Sequence, residues 1–275
     1  MQQRTDVPRE RHHDTTPVHT LFGLDVVDEM DAGRMSRVAA GVLGAVRVRN
    51  FFSPHECRTT VASLVQDAMG EYDQRLVGRR IAKLGPAVFD YYNSARVEPS
   101  YWEEAAAAAR VRSRLLDGRD PLGLAGDRLA AAWQQEVTPA TVGGAPLFAG
   151  MIREMYQGAG LHFDEVEREF PAGLDETPLS QLAFNCYLET PPDGGALTVF
   201  RRRWRPDDEH HRDGYWYRPE VVAGEPSLTV APATGDAIVF DPRNYHMIEA
   251  NRGGRRVTLS FFIGFSRHGN LLLWS

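Results

Sequence analysis

Tyr156-Gln157-Gly158-Ala159-Gly160-Leu161-His162-Phe163-Asp164 is the stretch on which the fold of this chain turns. It continues the apolar run Met151-Ile152-Arg153-Glu154-Met155, and from about residue 147 onward short β-prone segments alternate with clusters of Gly, Pro and Asp. That spacing predicts a sandwich or barrel of short strands. Strands are expected at 148–156, 181–189, 196–201, 227–231, 236–240, 244–249 and 255–265. Between the third and fourth lies a long loop holding Arg201-Arg202-Arg203-Trp204-Arg205 and Tyr215-Trp216-Tyr217. Structureless loops of that length in compact domains are usually functional or mobile.

The upstream half reads differently. Ala45-Val46-Arg47-Val48-Arg49 predicts a strand, and Ser53-Pro54-His55-Glu56 combines a serine cap, a proline at the first helical position and a glutamate at the third. The helix it opens is expected to run through Val61, Leu64 and Val65 to about Met69. A second helix begins near Ser100-Tyr101-Trp102-Glu103-Glu104 and runs to Leu116, where Asp117-Gly118 stops it, and Asp120-Pro121 starts a third reaching Trp133. Residues 1–19 are polar, rich in Arg, His, Asp and Thr, and have no apolar period, which predicts a flexible tail. The expected organisation is therefore the tail followed by one domain over 20–275, with helical support at 53–135 and a β core at 147–265.

Composition narrows the function classes. With 43% hydrophobic and 25% charged residues the chain has the make-up of a globular domain, and its net charge of −6 argues against a general nucleic-acid surface. Cys57 and Cys186 fit no zinc or redox spacing, so they are expected to be reduced thiols in a cytoplasmic protein. No stretch approaches the roughly 20 apolar residues of a membrane span, and no signal core is visible, so neither membrane insertion nor secretion is expected.

His162 and Asp164 are two residues apart, so in an extended strand both side chains point to one face and can share a metal ion. His12-His13-Asp14 and His211-Arg212-Asp213 have the same spacing, but the first sits in the polar tail and the second in a charged loop. With the later His246, the pair makes two imidazoles and one carboxylate, a set that leaves coordination positions open and suits non-haem Fe(II) oxygenases. Ten residues beyond His246, Arg256-Val257-Thr258-Leu259-Ser260 alternates so that Arg256, Thr258 and Ser260 share a face. An inward arginine requires an anion, and its planar fork grips a carboxylate through paired hydrogen bonds that a nearby hydroxyl can supplement. Arg255 should face outward.

The order of these segments resembles the Fe(II)/2-oxoglutarate-dependent oxygenases over about residues 147–265. The segments are the 156–164 stretch, Asn185-Cys186-Tyr187-Leu188-Glu189, Gly194-Gly195-Ala196-Leu197, Pro232-Ala233-Thr234-Gly235-Asp236, His246, and Arg256-Val257-Thr258. The helical part at about 90–135 is similar to the small-molecule branch of amino-acid hydroxylases and related aliphatic halogenases. The resemblance implies a mainly β fold with flanking helices and a double-stranded β-helix (jelly-roll, cupin-like) core. It further implies Fe(II) on His162, Asp164 and His246, and 2-oxoglutarate on Arg256 and Thr258. The halogenases of this branch carry a small residue at the carboxylate position, whereas Asp164 is present here, so the resemblance implies hydroxylation of a small-molecule C–H bond by O2.

Tyr156, Asn185, Arg203, Trp204 and Trp216 are candidates for lining the substrate pocket, with Tyr215 beside them in a possible lid. Desaturation or ring formation on the same site stays open, as does a non-catalytic metal-binding β-barrel sensor. Arg256 with Thr258 weighs against the sensor, because a structural metal needs no dicarboxylate anchor.

Overall fold

The computed structural model describes residues 21–64, 69–72, 78–93, 96–171 and 173–275. The predicted N-terminal tail lies outside the described residues. Eight strands build the core, and they divide between two sheets in the order a double-stranded β-helix requires, alternating except at Leu197–Arg203 and Ser227–Val230, which pair within the smaller sheet. Met151–Met155, Gln181–Glu189, Ala237–Phe240 and Arg256–Phe265 lie in the larger sheet, where Arg256–Phe265 pairs antiparallel with both Met151–Met155 and Gln181–Glu189. Ala159–His162, Leu197–Arg203, Ser227–Val230 and Asn244–Ile248 lie in the smaller one, with Asn244–Ile248 between the first two.

N-terminal strands extend the larger sheet on both sides. Leu43–Val48 pairs with Ala237–Phe240, and Ile81–Leu84 pairs with Met151–Met155. The facing sides of the two sheets meet in an apolar cluster that includes Ala183, Leu197, Val199, Val230 and Ile238. The outer side of the larger sheet, carrying Phe184, Cys186, Leu259 and Phe261, is covered by the helices through residues such as Met35, Tyr101, Ala125 and Leu129.

Local signals account for the helices. Ser53 and Glu56 exchange the two hydrogen bonds of a capping box at the start of Pro54–Ala62. This helix stops well short of the expected Met69. Ser63 closes it, its N–H reaching the Thr59 carbonyl and that of Leu64 the Val61 carbonyl, and Leu64 turns into the core; positions 65–68 lie outside the described residues. Pro99–Arg112 and Pro121–Trp133 follow their predicted starts, the latter capped by Asp120. Arg112 ties the two together. Its buried guanidinium pairs with Asp120 at 2.8 Å, lies over the Phe148 ring and donates to the carbonyls of Ala149 and Gly150. The helical layer thereby clamps the start of the Met151–Met155 strand.

The charged segment after residue 200 is more regular than a loop. Leu197–Arg203 continues as strand through Arg203, and Trp216–Tyr217 joins the smaller sheet beside Ala159–His162 through the Leu161 and Tyr217 pair. Both cysteines are free and buried. No helix among the described residues is long and apolar enough to cross a membrane.

Candidate metal centre and active-site cavity

His162 and His246 are direct cross-strand partners. Opposed residues of an antiparallel pair lie closer than any other cross-strand combination, so pairing alone brings the two rings to a centroid separation of 4.1 Å. The Ala159–His162 strand ends at the histidine, so Asp164 sits on the turn beyond it and not in an extended strand. The turn is held by the Asp164 N–H to the Pro242 carbonyl at 2.9 Å and by Gln181, whose side chain accepts from the Val166 N–H and donates to the Asp164 carbonyl. Asp164 Oδ2 comes within 3.5 Å of His246 Nε2, and one potential ligand atom from each of the three side chains lies within 4.8 Å of the other two.

Each imidazole Nδ1 meets a main-chain carbonyl, His162 that of Gly160 at 2.8 Å and His246 that of Asn244 at 3.0 Å. This contact sets Nδ1 as the protonated nitrogen and leaves Nε2 as the lone-pair donor, the arrangement that orients metal-binding histidines. Burial, reinforced by His246, lowers the His162 pKa to about 4, so the ring is neutral at pH 7. Burial opposes the charge on Asp164, but its interactions with His162 and His246 outweigh it and hold its pKa at about 2. Two imidazoles and one carboxylate are the donor set for a divalent cation with open positions.

These groups open onto a cavity of about 810 Å³ between the sheets. Arg256 lines it, is 1% exposed, and reaches no carboxylate among the described residues: there its terminal nitrogens approach only Met155 Sδ at 3.5 Å and the Tyr187 hydroxyl at 3.4 Å, and Nε has no partner. A buried guanidinium left in this way suits an incoming carboxylate. Thr258 is buried on the same strand face and accepts a hydrogen bond from Ser260 at 3.0 Å; Ser260, and not Thr258, lines the cavity. Arg255 faces the other way and grips buried Glu154 through two hydrogen bonds.

Of the expected substrate-pocket residues, Asn185 and Trp216 line the cavity, as does Tyr215. Trp216 stands edge-on to His162, and Gly160 makes room for it, since a Cβ there would lie 2.7 Å from the indole. Three others lie off the cavity. Tyr156 follows Glu154 on the outward side of its strand, is 42% exposed and donates its hydroxyl to Glu154. Arg203 pairs with Asp241 at 2.6 Å, and Trp204 donates to Glu209 beneath the Arg168 guanidinium.

A family profile described as "Carrier-protein-independent halogenase WelO5" matches residues 174–275, a stretch that includes His246 and Arg256 and begins after Asp164. The L-gamma-glutamyl-L-propargylglycine hydroxylase of Streptantibioticus cattleyicolor is 39% identical over 265 residues, spanning 95% of this chain and 99% of that protein. The chain belongs to the Fe(II)/2-oxoglutarate-dependent oxygenases. Leucinostatins biosynthesis cluster protein S of Purpureocillium lilacinum is 30% identical over 182 residues, 60% of this chain and 73% of that one. Among solved structures, an N-substituted L-amino acid dioxygenase from Burkholderia ambifaria AMMD shares the fold with a TM-score of 0.59 at 14% identity, covering 90% of this chain and 92% of that chain.

Fe(II) and 2-oxoglutarate are accordingly this oxygenase's metal and co-substrate. The donor set and the uncompensated Arg256 both fit them.

Residues of the cavity wall that sequence reasoning passed over include Arg153, Glu169 and Tyr72. For Arg153 a signal existed, since two successive charges inside the apolar Met151–Met155 strand must face opposite ways, and Glu154 is the one that faces out. Glu169 comes from the short helix Val166–Glu169, which no periodic pattern announces.

Proposed function

We propose that this oxygenase inserts one oxygen atom into a C–H bond of an amino acid or similar small metabolite. His162, Asp164 and His246 hold the iron, and Arg256 grips the distal carboxylate of 2-oxoglutarate. When bound, the iron and co-substrate supply O2 activation, and the reaction balances as substrate, O2 and 2-oxoglutarate giving hydroxylated substrate, succinate and CO2.

The observation that carries this reading is the cluster of two carbonyl-oriented histidines and an aspartate beside a buried arginine with no carboxylate. Asp164 supports hydroxylation over halogen transfer, because its carboxylate stands where a halide would have to bind. The relative that is a hydroxylase, aligned over 95% of this chain, supports the same outcome and an amino-acid-like substrate. The chain's residues bind and enclose. Trp216, Tyr215 and Phe240 line the space around the histidines and keep water from it, while Asn185 and Ser260 offer polar contacts to a substrate. Residues 20–275 act as one oxygenase domain, and the free buried thiols of Cys57 and Cys186 agree with a cytoplasmic location.

The test is a small-metabolite screen on protein loaded anaerobically with Fe(II) and 2-oxoglutarate and then given oxygen, reading succinate and substrate mass together. Succinate formed in step with a one-oxygen mass gain is the expected result. Metal binding with no substrate-dependent succinate across the screen would favour the sensor.

A further inference from the structure

The cavity holds more charge than iron and 2-oxoglutarate account for. Lys83 is neutralised by Asp90 at 2.9 Å and Arg212 by Glu209 at 3.3 Å, while Arg256 is reserved for the co-substrate. Glu71 is paired with Arg80 at 2.7 Å, and two further groups on the cavity wall, Arg153 and Glu169, have no ion pair among the described residues. Arg153 has only the thioether of Met151 on its Nε, at 3.2 Å, and a thioether is a weak acceptor. Glu169 has no ion pair among the described residues; its carboxyl meets only the Glu165 backbone N–H, and burial together with Asp164, Glu165 and Asp90, which carry its own sign, raises its pKa well above the usual carboxylate range.

Strand register places Arg153 opposite Thr258, with Met155 opposite Arg256, so both guanidiniums project from one wall at neighbouring positions. Neither cation has a carboxylate at ion-pair distance among the described residues, Asp164 and Asp90 favouring the charge of Arg153 only from farther off, so each can take an anion; 2-oxoglutarate has one distal carboxylate to give. Across the same cavity, an acid surrounded by acids calls for a cation. Desolvated charges without partners are costly, so a pair of opposite sign facing one ligand space is matched by a ligand that brings both signs.

We infer that Arg153 and Glu169 are the two ends of a substrate clamp, Arg153 taking a carboxylate and Glu169 an ammonium. The substrate class is thereby a zwitterion with free amine and free carboxylate, an unacylated amino acid or small peptide. The inference rests on the oxygenase reading above and sharpens it, since an N-acylated, amidated or carrier-tethered substrate lacks one of the two charges.

The experiment is equilibrium binding to the full-length protein carrying Fe(II) and 2-oxoglutarate without oxygen. The probes are free L-amino acids and γ-glutamyl dipeptides, L-γ-glutamyl-L-propargylglycine included, each matched with its N-acetyl and C-amide derivatives. At least one free member should bind, with each derivative weaker by roughly 100-fold, the cost typical of stranding one buried charge. Arg153→Gln should erase the preference for acid over amide, and Glu169→Gln the preference for free over acetylated amine. These ratios do not respond to a general loss of stability.

Derivatives that bind as tightly as the free forms would overturn the clamp. So would an Arg153→Gln protein that keeps the acid preference but loses 2-oxoglutarate, which would reassign the arginine to the co-substrate. A wild-type protein that binds Fe(II) and 2-oxoglutarate but no free member overturns the clamp alone, whereas one that binds neither removes the oxygenase site with it.

Discussion

At the scale of single residues, the proposed centre rests on His162 and His246 each committing Nδ1 to a carbonyl, with a potential ligand atom of each ring close to one of Asp164. His246→Ala should reduce Fe(II) binding far more than it reduces folding, a comparison that metal titration alongside thermal unfolding makes directly; undiminished iron affinity would remove His246 from the centre. The metal-free protein should also carry a pH signature. His162 in the folded chain has a pKa of about 4, lowered by burial, against roughly 6.5 when unfolded. Between those values the unfolded chain binds more protons, so stability falls as pH drops through that window. His162→Gln should flatten the fall in melting temperature there, and an unchanged profile would show that the ring is not buried neutral. The histidine and aspartate were legible in sequence from their spacing, but the orienting carbonyls were not, because backbone partners two residues away carry no side-chain signature.

At the scale of elements, the Arg256–Phe265 strand sorts two adjacent arginines into different jobs by alternation. Arg256→Ala should weaken 2-oxoglutarate binding by about 3–5 kcal/mol while leaving iron stoichiometry intact, since a buried carboxylate would lose its charged partner. Arg255→Ala should do the reverse. It deprives buried Glu154 of a bidentate partner and should cost about 1–3 kcal/mol of stability with 2-oxoglutarate affinity unchanged. Calorimetry of binding and denaturant unfolding on both variants separates the two, and equal effects of the two substitutions on 2-oxoglutarate would contradict the assignment. Strands such as Gln181–Glu189 and Ala237–Phe240 were readable because apolar runs bounded by Gly, Pro and Asp have few other solutions. The helix after Ser53 was readable only at its start, where the cap is chemical; its end at Ala62 follows from the way Leu64 turns into the core, which local propensity does not encode.

At the scale of the whole molecule, the cavity is assembled from distant parts of the chain: Lys83 and Asp90 from the N-terminal half, Arg153 and Arg256 from the larger sheet, His162 and His246 from the smaller, Tyr215 and Trp216 from the added strand. Its long-range character explains why Tyr156, Arg203 and Trp204 read as lining residues from composition and proximity in sequence, yet face outward or pair with acids off the cavity, Arg203 with buried Asp241 and Trp204 with Glu209. In the proposed function, Asp164 decides what the assembled site does, separating oxygen insertion from halogen transfer. The most direct measurement is the mass of the product formed by the Fe(II)-loaded protein with 2-oxoglutarate, oxygen and a turned-over amino-acid substrate in excess chloride, with succinate quantified alongside. One added oxygen atom per succinate is the predicted result; a mainly chlorinated product would contradict the placement of Asp164 on the metal and the function built on it.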